Sequence, residues 1–160
     1  MPDKRGLPGE DLRNVRDGDL RNLRETREAH PRRDAQAEVL QVIQRLEQAI
    51  NEAKPDLWLS LWDVSAPGFT IFENDNGDTL GPEFVEHVAG WLRKWRPARR
   101  QTWHTNKVVL LSPDLAYTAS LRTENESPPD RRESRVTMVM RRTDDGWKII
   151  QSHCSYVPRR

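Results

Sequence analysis

The feature that most constrains the fold of this chain is a change of hydrophobic period after Pro97. Before that residue, apolar side chains recur every three or four positions, which is typical of helices that bury one face. Beyond it, four stretches rich in β-forming residues are separated by short turns, at residues 101–111, 115–123, 132–142 and 147–157. Helices followed by a run of strands predict an α+β fold, with helices packed on one face of a curved, mainly antiparallel sheet.

Three helices are predicted before the strands, at residues 35–53, 56–63 and 82–95. Asp34 is a candidate N-cap for the first helix, and Pro55 and Pro82 suit the first turns of the other two. Between the second and third helices, Phe69-Thr70-Ile71-Phe72 is predicted to be a short strand. The chain therefore contains the helices and strands of one α+β domain over residues 35–160.

Residues 1–34 differ from the rest in composition, because they are rich in both Arg and Asp/Glu and contain few large apolar side chains. Too little apolar surface is present to offset the entropy of ordering such a segment. We expect a disordered, charged N-terminal tail, and a partner-binding arm is the alternative.

Composition also excludes several classes of protein. The net charge is +1 and the mean hydropathy is −0.88, and no stretch approaches the roughly 20 apolar residues of a membrane span. The single cysteine, Cys154, cannot form an internal disulfide or a Cys-based zinc site, and residues 1–4 do not begin a signal peptide. These observations predict a cytoplasmic protein that binds neither membranes nor nucleic acid.

The order of elements and several segments resemble the nuclear transport factor 2-like superfamily, also described as SnoaL-like or cystatin-like α+β. Residues 145–155, Asp-Gly-Trp-Lys-Ile-Ile-Gln-Ser-His-Cys-Ser, look like the closing strand of that superfamily. Within it, four segments are similar to the association domain of calcium/calmodulin-dependent kinases, at residues 66–73, 104–105, 116–122 and 133–136. The resemblance covers about residues 36–158.

This resemblance implies a conical domain with a pocket open at one end and a sheet face that pairs with a second subunit. A homodimer or higher homo-oligomer is therefore expected. In the association domains, the residues matching Arg122 and Arg135 line the pocket and bind carboxylate ligands, and His104 matches a pocket histidine. Cys154 stands where those domains have a third pocket arginine.

The residues themselves leave two interpretations of Arg122 and Arg135 open. Arginine presents a planar fork suited to a carboxylate, so two arginines converging in a pocket would bind a small organic acid. Alternatively, each arginine is neutralised within the protein by Glu124 or Glu133, which would indicate a structural role. Convergence without an acidic partner is the feature that separates the two interpretations.

A catalytic role is considered for Glu73 and His104. Glu73 has a position similar to that of the general base in steroid isomerases of the superfamily, and an apolar surrounding would suit proton abstraction. Those isomerases carry an oxyanion-stabilising tyrosine where this chain has residues near Leu46, so their route is not indicated. His104 and His153 lack a third ligand at a recognisable spacing, so neither a metal nor a cofactor is predicted.

The walls of the expected pocket are aromatic. Trp58, Trp62 and Trp95 are predicted near its mouth, where they would contact an apolar part of a ligand. Cys154 is predicted to face the pocket and the adjacent His153 to face outward, because neighbouring residues of a strand point to opposite faces.

Two functional hypotheses follow from these residues and the resemblance. The first is a SnoaL-like protein that binds a small organic carboxylate through Arg122 and Arg135. If it is an enzyme, we expect acid–base chemistry of the isomerase, cyclase or lyase type without a metal. The second is an oligomerisation module with a vestigial or regulatory pocket.

Overall fold

The computed structural model describes residues 12–73, 80–94, 100–125 and 131–157, with side chains from residue 32 onward. The elements in chain order are α1 (Leu12–Asn51), α2 (Pro55–Ser60), β1 (Thr70–Glu73), α3 (Pro82–Lys94), β2 (Gln101–Ser112), β3 (Leu115–Glu124), β4 (Arg132–Thr143) and β5 (Gly146–Tyr156). The predicted α+β class and the order of helices and strands are confirmed.

Helix α1 is longer than the helix predicted over 35–53, because it begins at Leu12. Asp34 consequently lies inside the helix and is not its N-cap. The helix ends two residues earlier than predicted. Ala53 adopts a left-handed φ of 52°, while the Lys54 amide donates to the Ala49 carbonyl at 2.8 Å and the Ala53 amide to the Ile50 carbonyl at 3.3 Å. This pattern of bonds is a Schellman motif, which closes the last turn.

The five strands form one sheet in the order β1-β5-β4-β3-β2. Strands β2 to β5 make an antiparallel meander, and β1 joins the edge by pairing parallel to β5. Register shifts interrupt β2 between Thr105 and Lys107 and the β4–β5 ladder between Val139 and Met140. Such bulges add local twist and bend, which favours a curved sheet.

The core lies between the helices and one face of the sheet. The predicted apolar face of α1 is buried, and Leu46 and Ala49 are at most 1% exposed. From the sheet, alternate residues of β4 and β5 complete the core, namely Val136, Met138, Met140, Ile149 and Cys154. The other face of the sheet is left to solvent in the single chain.

The chain divides into two units, Met1–Asp34 and Ala35–Arg160. The predicted disorder of the first unit stays a prediction. Within the described residues, no helix combines the length and the apolar character needed to cross a membrane. The predicted cytoplasmic location is not tested by this finding and stays a prediction as well.

Candidate functional site

A cavity of about 180 Å³ lies within the second unit, between the helices and the inner face of the sheet. Most of its lining is apolar, and five of the residues are aromatic: Trp58, Trp62, Phe84, Trp91 and Trp103. Its polar lining consists of Glu73, Gln101, Arg122, Glu124 and Ser152. Apolar walls with a few polar groups are the usual composition of a small-molecule site.

Arg122 is the centre of the polar group. Its guanidinium Nη2 donates to Glu73 Oε1 at 2.7 Å and lies 3.2 Å from Glu124 Oε1. The Arg122 side chain is 8% exposed, against 26% for Glu73 and 11% for Glu124. Burial by itself lowers the pKa of an arginine, but the acidic groups around Arg122, with Glu73 foremost, together outweigh it, so the pKa of Arg122 is raised. Arg122 therefore stays charged and is held by two carboxylates.

Strand β2 supplies the second half of this cluster. The Trp103 ring centroid lies 5.8 Å from the Arg122 guanidinium carbon, which is cation–π distance. The indole Nε1 of Trp103 donates to Gln101 Oε1, and Gln101 Nε2 donates to Glu124 Oε1, both at 3.3 Å. The cluster thus joins residues of two neighbouring strands through side-chain hydrogen bonds.

The end of α1 fixes the position of β2. Asn51 Nδ2 donates to the Gln101 carbonyl, and the Gln101 amide donates to Asn51 Oδ1, both at 2.7 Å. One turn earlier, Glu47 Oε2 accepts a hydrogen bond from the Trp103 amide at 3.0 Å. These bonds satisfy backbone groups at the start of the edge strand and hold Trp103 against the cavity.

Two of the predicted wall residues, Trp58 of α2 and Trp62 just after that helix, line the cavity. Their rings lie 5.0 Å apart in a tilted arrangement, and Trp58 Nε1 donates to the Val85 carbonyl of α3 at 2.9 Å. Trp62 is 8% exposed, and its Nε1 has no hydrogen-bond partner among the described residues. The third predicted wall residue, Trp95, lies outside the described residues.

Cys154 is 2% exposed and pairs in register with Glu73 on β1 and Val136 on β4. Burial raises the pKa of its thiol to about 11, and the positive charge of Arg122 acts in the opposite direction. A neutral, buried thiol is a poor nucleophile. Cys154 therefore contributes to the packing around the charged cluster rather than to its charge.

Arg135 and His104 do not lie beside Arg122, so the predicted convergence of these side chains in one pocket is wrong. Each of them pairs in register with Leu121, the residue before Arg122, and both are exposed. Because side chains alternate along a strand, they point to the outer face of the sheet. Arg122 is instead neutralised by Glu124, as the alternative interpretation required, and additionally by Glu73.

The cavity residues that were not predicted as site residues from the sequence include Gln101, Trp103, Glu124 and Trp91. Gln101, Trp103, Arg122 and Glu124 share one face because Trp103 pairs with Arg122 and Gln101 with Glu124. The alternation of Thr118, Ser120, Arg122 and Glu124 along β3 was a usable signal, since a polar row on a buried strand indicates a polar site. Within the described ranges, no group of three His, Cys, Asp or Glu side chains is arranged to hold a metal.

Comparison with known proteins identifies the fold. No curated protein matches the sequence. A cystatin-like fold protein from Caulobacter vibrioides aligns with a TM-score of 0.63 at 17% identity over 78% of this chain and 91% of its own. A candidate dehydratase of the NTF2-like family from Streptomyces avermitilis gives 0.62 at 19% identity over 81% and 99%. A ketosteroid isomerase-like protein from Erwinia carotovora atroseptica gives 0.57 at 14% identity over 77% and 96%.

At these identities the structural matches establish the fold alone. The finer similarity to kinase association domains is not confirmed by them and stays a prediction. The family model of the SnoaL-like domain matches residues 39–159, which include the cavity and all five strands. The predicted superfamily is confirmed, and the chain belongs to the SnoaL-like domain family.

Proposed function

We propose that this protein binds a small, mainly apolar molecule in the cavity and holds its polar atoms at the Glu73–Arg122 pair. The observation that carries this proposal is the 2.7 Å ion pair placed among apolar and aromatic walls. Charged groups are costly to bury. Neutralisation by Glu73 and Glu124 gives Arg122 a structural role, and the position of the Glu73–Arg122 pair in the cavity lining favours an additional role in binding.

The size of the cavity limits the ligand. An engineered apolar cavity of about 150 Å³ binds benzene, so a volume of about 180 Å³ suits one ring with a short polar arm. The Trp62 indole N–H, unpartnered among the described residues, favours a ligand that carries a carbonyl or hydroxyl oxygen. A buried donor without an acceptor costs about 1–3 kcal/mol, which such an oxygen would recover.

The expected organic carboxylate is not favoured as the ligand. Arg122 already has two carboxylate partners, and Arg135 lies exposed on the other face of the sheet. A ligand carboxylate would have to displace Glu73 or Glu124 and would place like charges side by side. We therefore replace the two-arginine clamp by a site for a ligand without a carboxylate.

The proposed reaction is proton abstraction next to a carbonyl. Glu73 is the more exposed of the two carboxylates and would accept the proton, while Arg122 would stabilise the negative charge that develops on the carbonyl oxygen. Dehydration and ketosteroid isomerisation, the activities named for two of the structural neighbours, both involve proton transfer. They support this class of chemistry.

Binding is tested with phenylethylene glycol, a neutral probe with one ring and two hydroxyl groups. A molecule that binds only the folded state raises its melting temperature, so the probe should stabilise the unmodified protein. The substitution Val88→Trp fills the cavity and should abolish this effect, whereas Val64→Trp, at a 42% exposed position outside the cavity lining, should keep it. Equal stabilisation of both variants would refute binding in the cavity.

Chemistry is tested by hydrogen–deuterium exchange of the methylene protons of phenacyl alcohol, followed by NMR. General-base catalysis contributes about 10²- to 10⁴-fold, so Glu73→Gln should lower the enzyme-dependent exchange rate by at least 10²-fold. Glu133→Gln is the matched control, because Glu133 pairs with Arg131 and is not among the cavity-lining residues. An exchange rate unaffected by Glu73→Gln would exclude this residue as the base.

The second candidate function is self-association, and the outer face of the sheet favours it. Along β3, the apolar residues Tyr117 and Leu121 point to the outer face, where they are half-buried in the single chain. Val139 pairs with Tyr117 on the same face. Phe72 is 38% exposed there, and its ring centroid lies 5.7 Å from that of His153. An apolar row on a solvent-facing sheet supports pairing with a second copy.

Light scattering tests the dimer. Leu121→Glu should convert a dimer to a monomer, because it places a charge within the paired face. Leu40→Glu, at a 37% exposed position on α1, should leave the mass unchanged. A dimer that withstands Leu121→Glu would place the interface elsewhere.

A further inference from the structure

We propose that the ligand carries a second apolar group, which leaves the cavity and lies against Trp91 at its mouth. This inference rests on the proposed function and names the chemical class of the molecule: its polar atoms lie between two apolar parts. One part is the ring held inside the cavity. The other is an alkyl or aryl group beyond the polar atoms, for which the cavity itself has no room. The order of residues along the cavity supports this class of ligand.

One end of the cavity is closed by buried residues. Ile71, Ser152 and Met138 form one row across β1, β5 and β4, line the cavity and are at most 4% exposed. Trp62 bridges β5 beyond this row, and its ring lies 5.0 Å from that of Trp58. Both tryptophans are buried, so they close this end rather than flank the mouth, where the sequence predicted them. A ligand group that pointed toward this end would meet a packed wall.

The polar groups follow further along the same strands. Glu73 lies two residues beyond Ile71 on β1. Arg122 lies four residues beyond Thr118, the partner of Met138 on β3, and in the same direction. The Glu73 side chain is 26% exposed, so the cavity approaches solvent here. Polar atoms of a ligand held at the Glu73–Arg122 pair would therefore lie between the closed end and the solvent.

Helix α3 forms the wall that reaches the solvent. Phe84, Val88 and Trp91 are spaced four and three residues apart, so they share one face of the helix, and all three line the cavity. Phe84 and Val88 are half-buried, whereas Trp91 is 39% exposed. A residue that both lines the cavity and is exposed to this extent lies at the mouth.

The direction of α3 agrees with this placement. The hydrogen bond from the Trp58 indole to the Val85 carbonyl holds the start of α3 beside the closed end. Trp91 lies six residues after Val85, which is about 9 Å further along the helix axis at 1.5 Å per residue. The exposed ring is therefore separated from the closed end by the length of the cavity wall.

Packing of the core does not account for the face of α3 that carries Trp91. The neighbouring face, with Val85, Ala89 and Leu92, is at most 3% exposed and supplies the contacts with the core. A surface helix packs on its core through one such apolar face. Covering the Trp91 ring with an apolar group would remove area of both from water, which is favourable. An apolar face continuous with the cavity thus supports a contact with the ligand.

Three neutral diols test the position of the second apolar group. Phenylethylene glycol has the ring and the two hydroxyl groups alone. The outer-butyl glycol carries a butyl chain on the carbon of the outer hydroxyl group, and its isomer, the ring-butyl glycol, carries the same chain on the ring, opposite the hydroxyl groups. Their dissociation constants for the full chain are measured by calorimetry.

We expect the outer-butyl glycol to bind at least 10-fold more tightly than phenylethylene glycol, since burial of each methylene group is favourable. The ring-butyl glycol should bind no more tightly than phenylethylene glycol, because its chain would point toward the closed end. The two isomers have the same composition, so a general preference for apolar molecules would not separate them.

The substitution Trp91→Ala tests the contact at the mouth. It should reduce the affinity for the outer-butyl glycol about 10-fold more than the affinity for phenylethylene glycol, because the longer probe covers more of the Trp91 ring. Leu111→Ala is the matched control, because Leu111 is 57% exposed on β2 and is not among the cavity-lining residues. It should change neither affinity.

The outcomes separate this inference from the function on which it rests. If phenylethylene glycol binds but the outer-butyl glycol gains nothing, or if the ring-butyl glycol binds as tightly as its isomer, the inference is overturned and the proposed binding stands. An equal loss of both affinities in Trp91→Ala also overturns it. If Trp91→Ala instead lowers the mass in light scattering and leaves both affinities unchanged, Trp91 contacts a second copy, and the inference is overturned. If none of the three diols binds, the proposed function itself falls, and the inference with it.

Discussion

Arg122→Met should lower the free energy of unfolding by about 3 kcal/mol. Methionine keeps most of the apolar stem of the side chain but removes the cation that both Glu73 and Glu124 contact. Removing one partner of a buried ion pair costs about 3–5 kcal/mol, because a buried charge is left uncompensated. The Glu73 side chain is 26% exposed and is partly screened by water, so the lower end of this range is expected.

Thermal denaturation measures the effect. In a chain of this length, 1 kcal/mol changes the melting temperature by about 2–4 °C, so Arg122→Met should melt about 6–12 °C lower. Arg135→Met is the matched control, because Arg135 is exposed on the outer face and surface substitutions cost within about 0.5 kcal/mol. Urea denaturation at constant slope confirms that the change is one of stability.

Neutralising the carboxylates tests the cause of the loss. The triple variant Arg122→Met, Glu73→Gln, Glu124→Gln should recover most of the stability, since no uncompensated charge is left in the cavity. The loss in the single variant should also shrink in acid, where carboxylates bind protons. The reasoning is refuted if Arg122→Met is as stable as Arg135→Met, or if its loss persists in the triple variant.

Three further predictions concern the surroundings of the site. Burial raises the pKa of the Cys154 thiol from 9.0 to about 11. The contribution of this thiol to the free energy of unfolding is therefore complete below pH 9 and is lost as the pH rises toward 11. Cys154→Ala should flatten the dependence of stability on pH between 9 and 11 in urea titrations. Trp58→Phe should cost about 1 kcal/mol in the same assay, because it removes the hydrogen bond that the Trp58 indole donates to the Val85 carbonyl. The pKa of Asp63 is lowered because hydrogen bonds from Ser65 and Arg141 outweigh the opposite effect of burial. The stability that the Asp63 carboxylate contributes at neutral pH should therefore be lost as the pH falls below about 4. Asp63→Asn should remove that contribution in an acid titration.

The fold was predictable because each element has a strong local signal. The change from helical to alternating periodicity located α2, α3, the meander and the part of α1 from residue 35 onward. Each strand end lies within one residue of its predicted position. The C-terminus of α1 differed because a residue other than glycine, Ala53, adopts the left-handed conformation there. Sequence patterns do not predict a helix C-terminus of this kind, because glycine is the residue that usually marks the left-handed position.

The site was only partly predictable, because it depends on the pairing register of the strands. Arg122, Glu73, Trp58 and Trp62 were identified, and all four line the cavity. His104 and Arg135 were assigned to the wrong face, since a shift of one residue in register sends every side chain of a strand to the other side. The pairing of Trp103 with Arg122 is a tertiary property, and no local pattern in either strand specifies it.

Strand β3 shows how one alternating pattern serves two surfaces. Its buried row is polar and ends at Arg122 and Glu124, while its outer row carries Tyr117 and Leu121. An ordinary sheet strand that packs on a core has the opposite arrangement, with apolar residues inside and polar residues outside. The inversion costs stability in the single chain unless both surfaces are occupied, the inner row by a polar ligand and the outer row by another sheet. Ligand binding and self-association are thus expected to stabilise the same strand from opposite sides, and substitutions in the two rows should affect them separately.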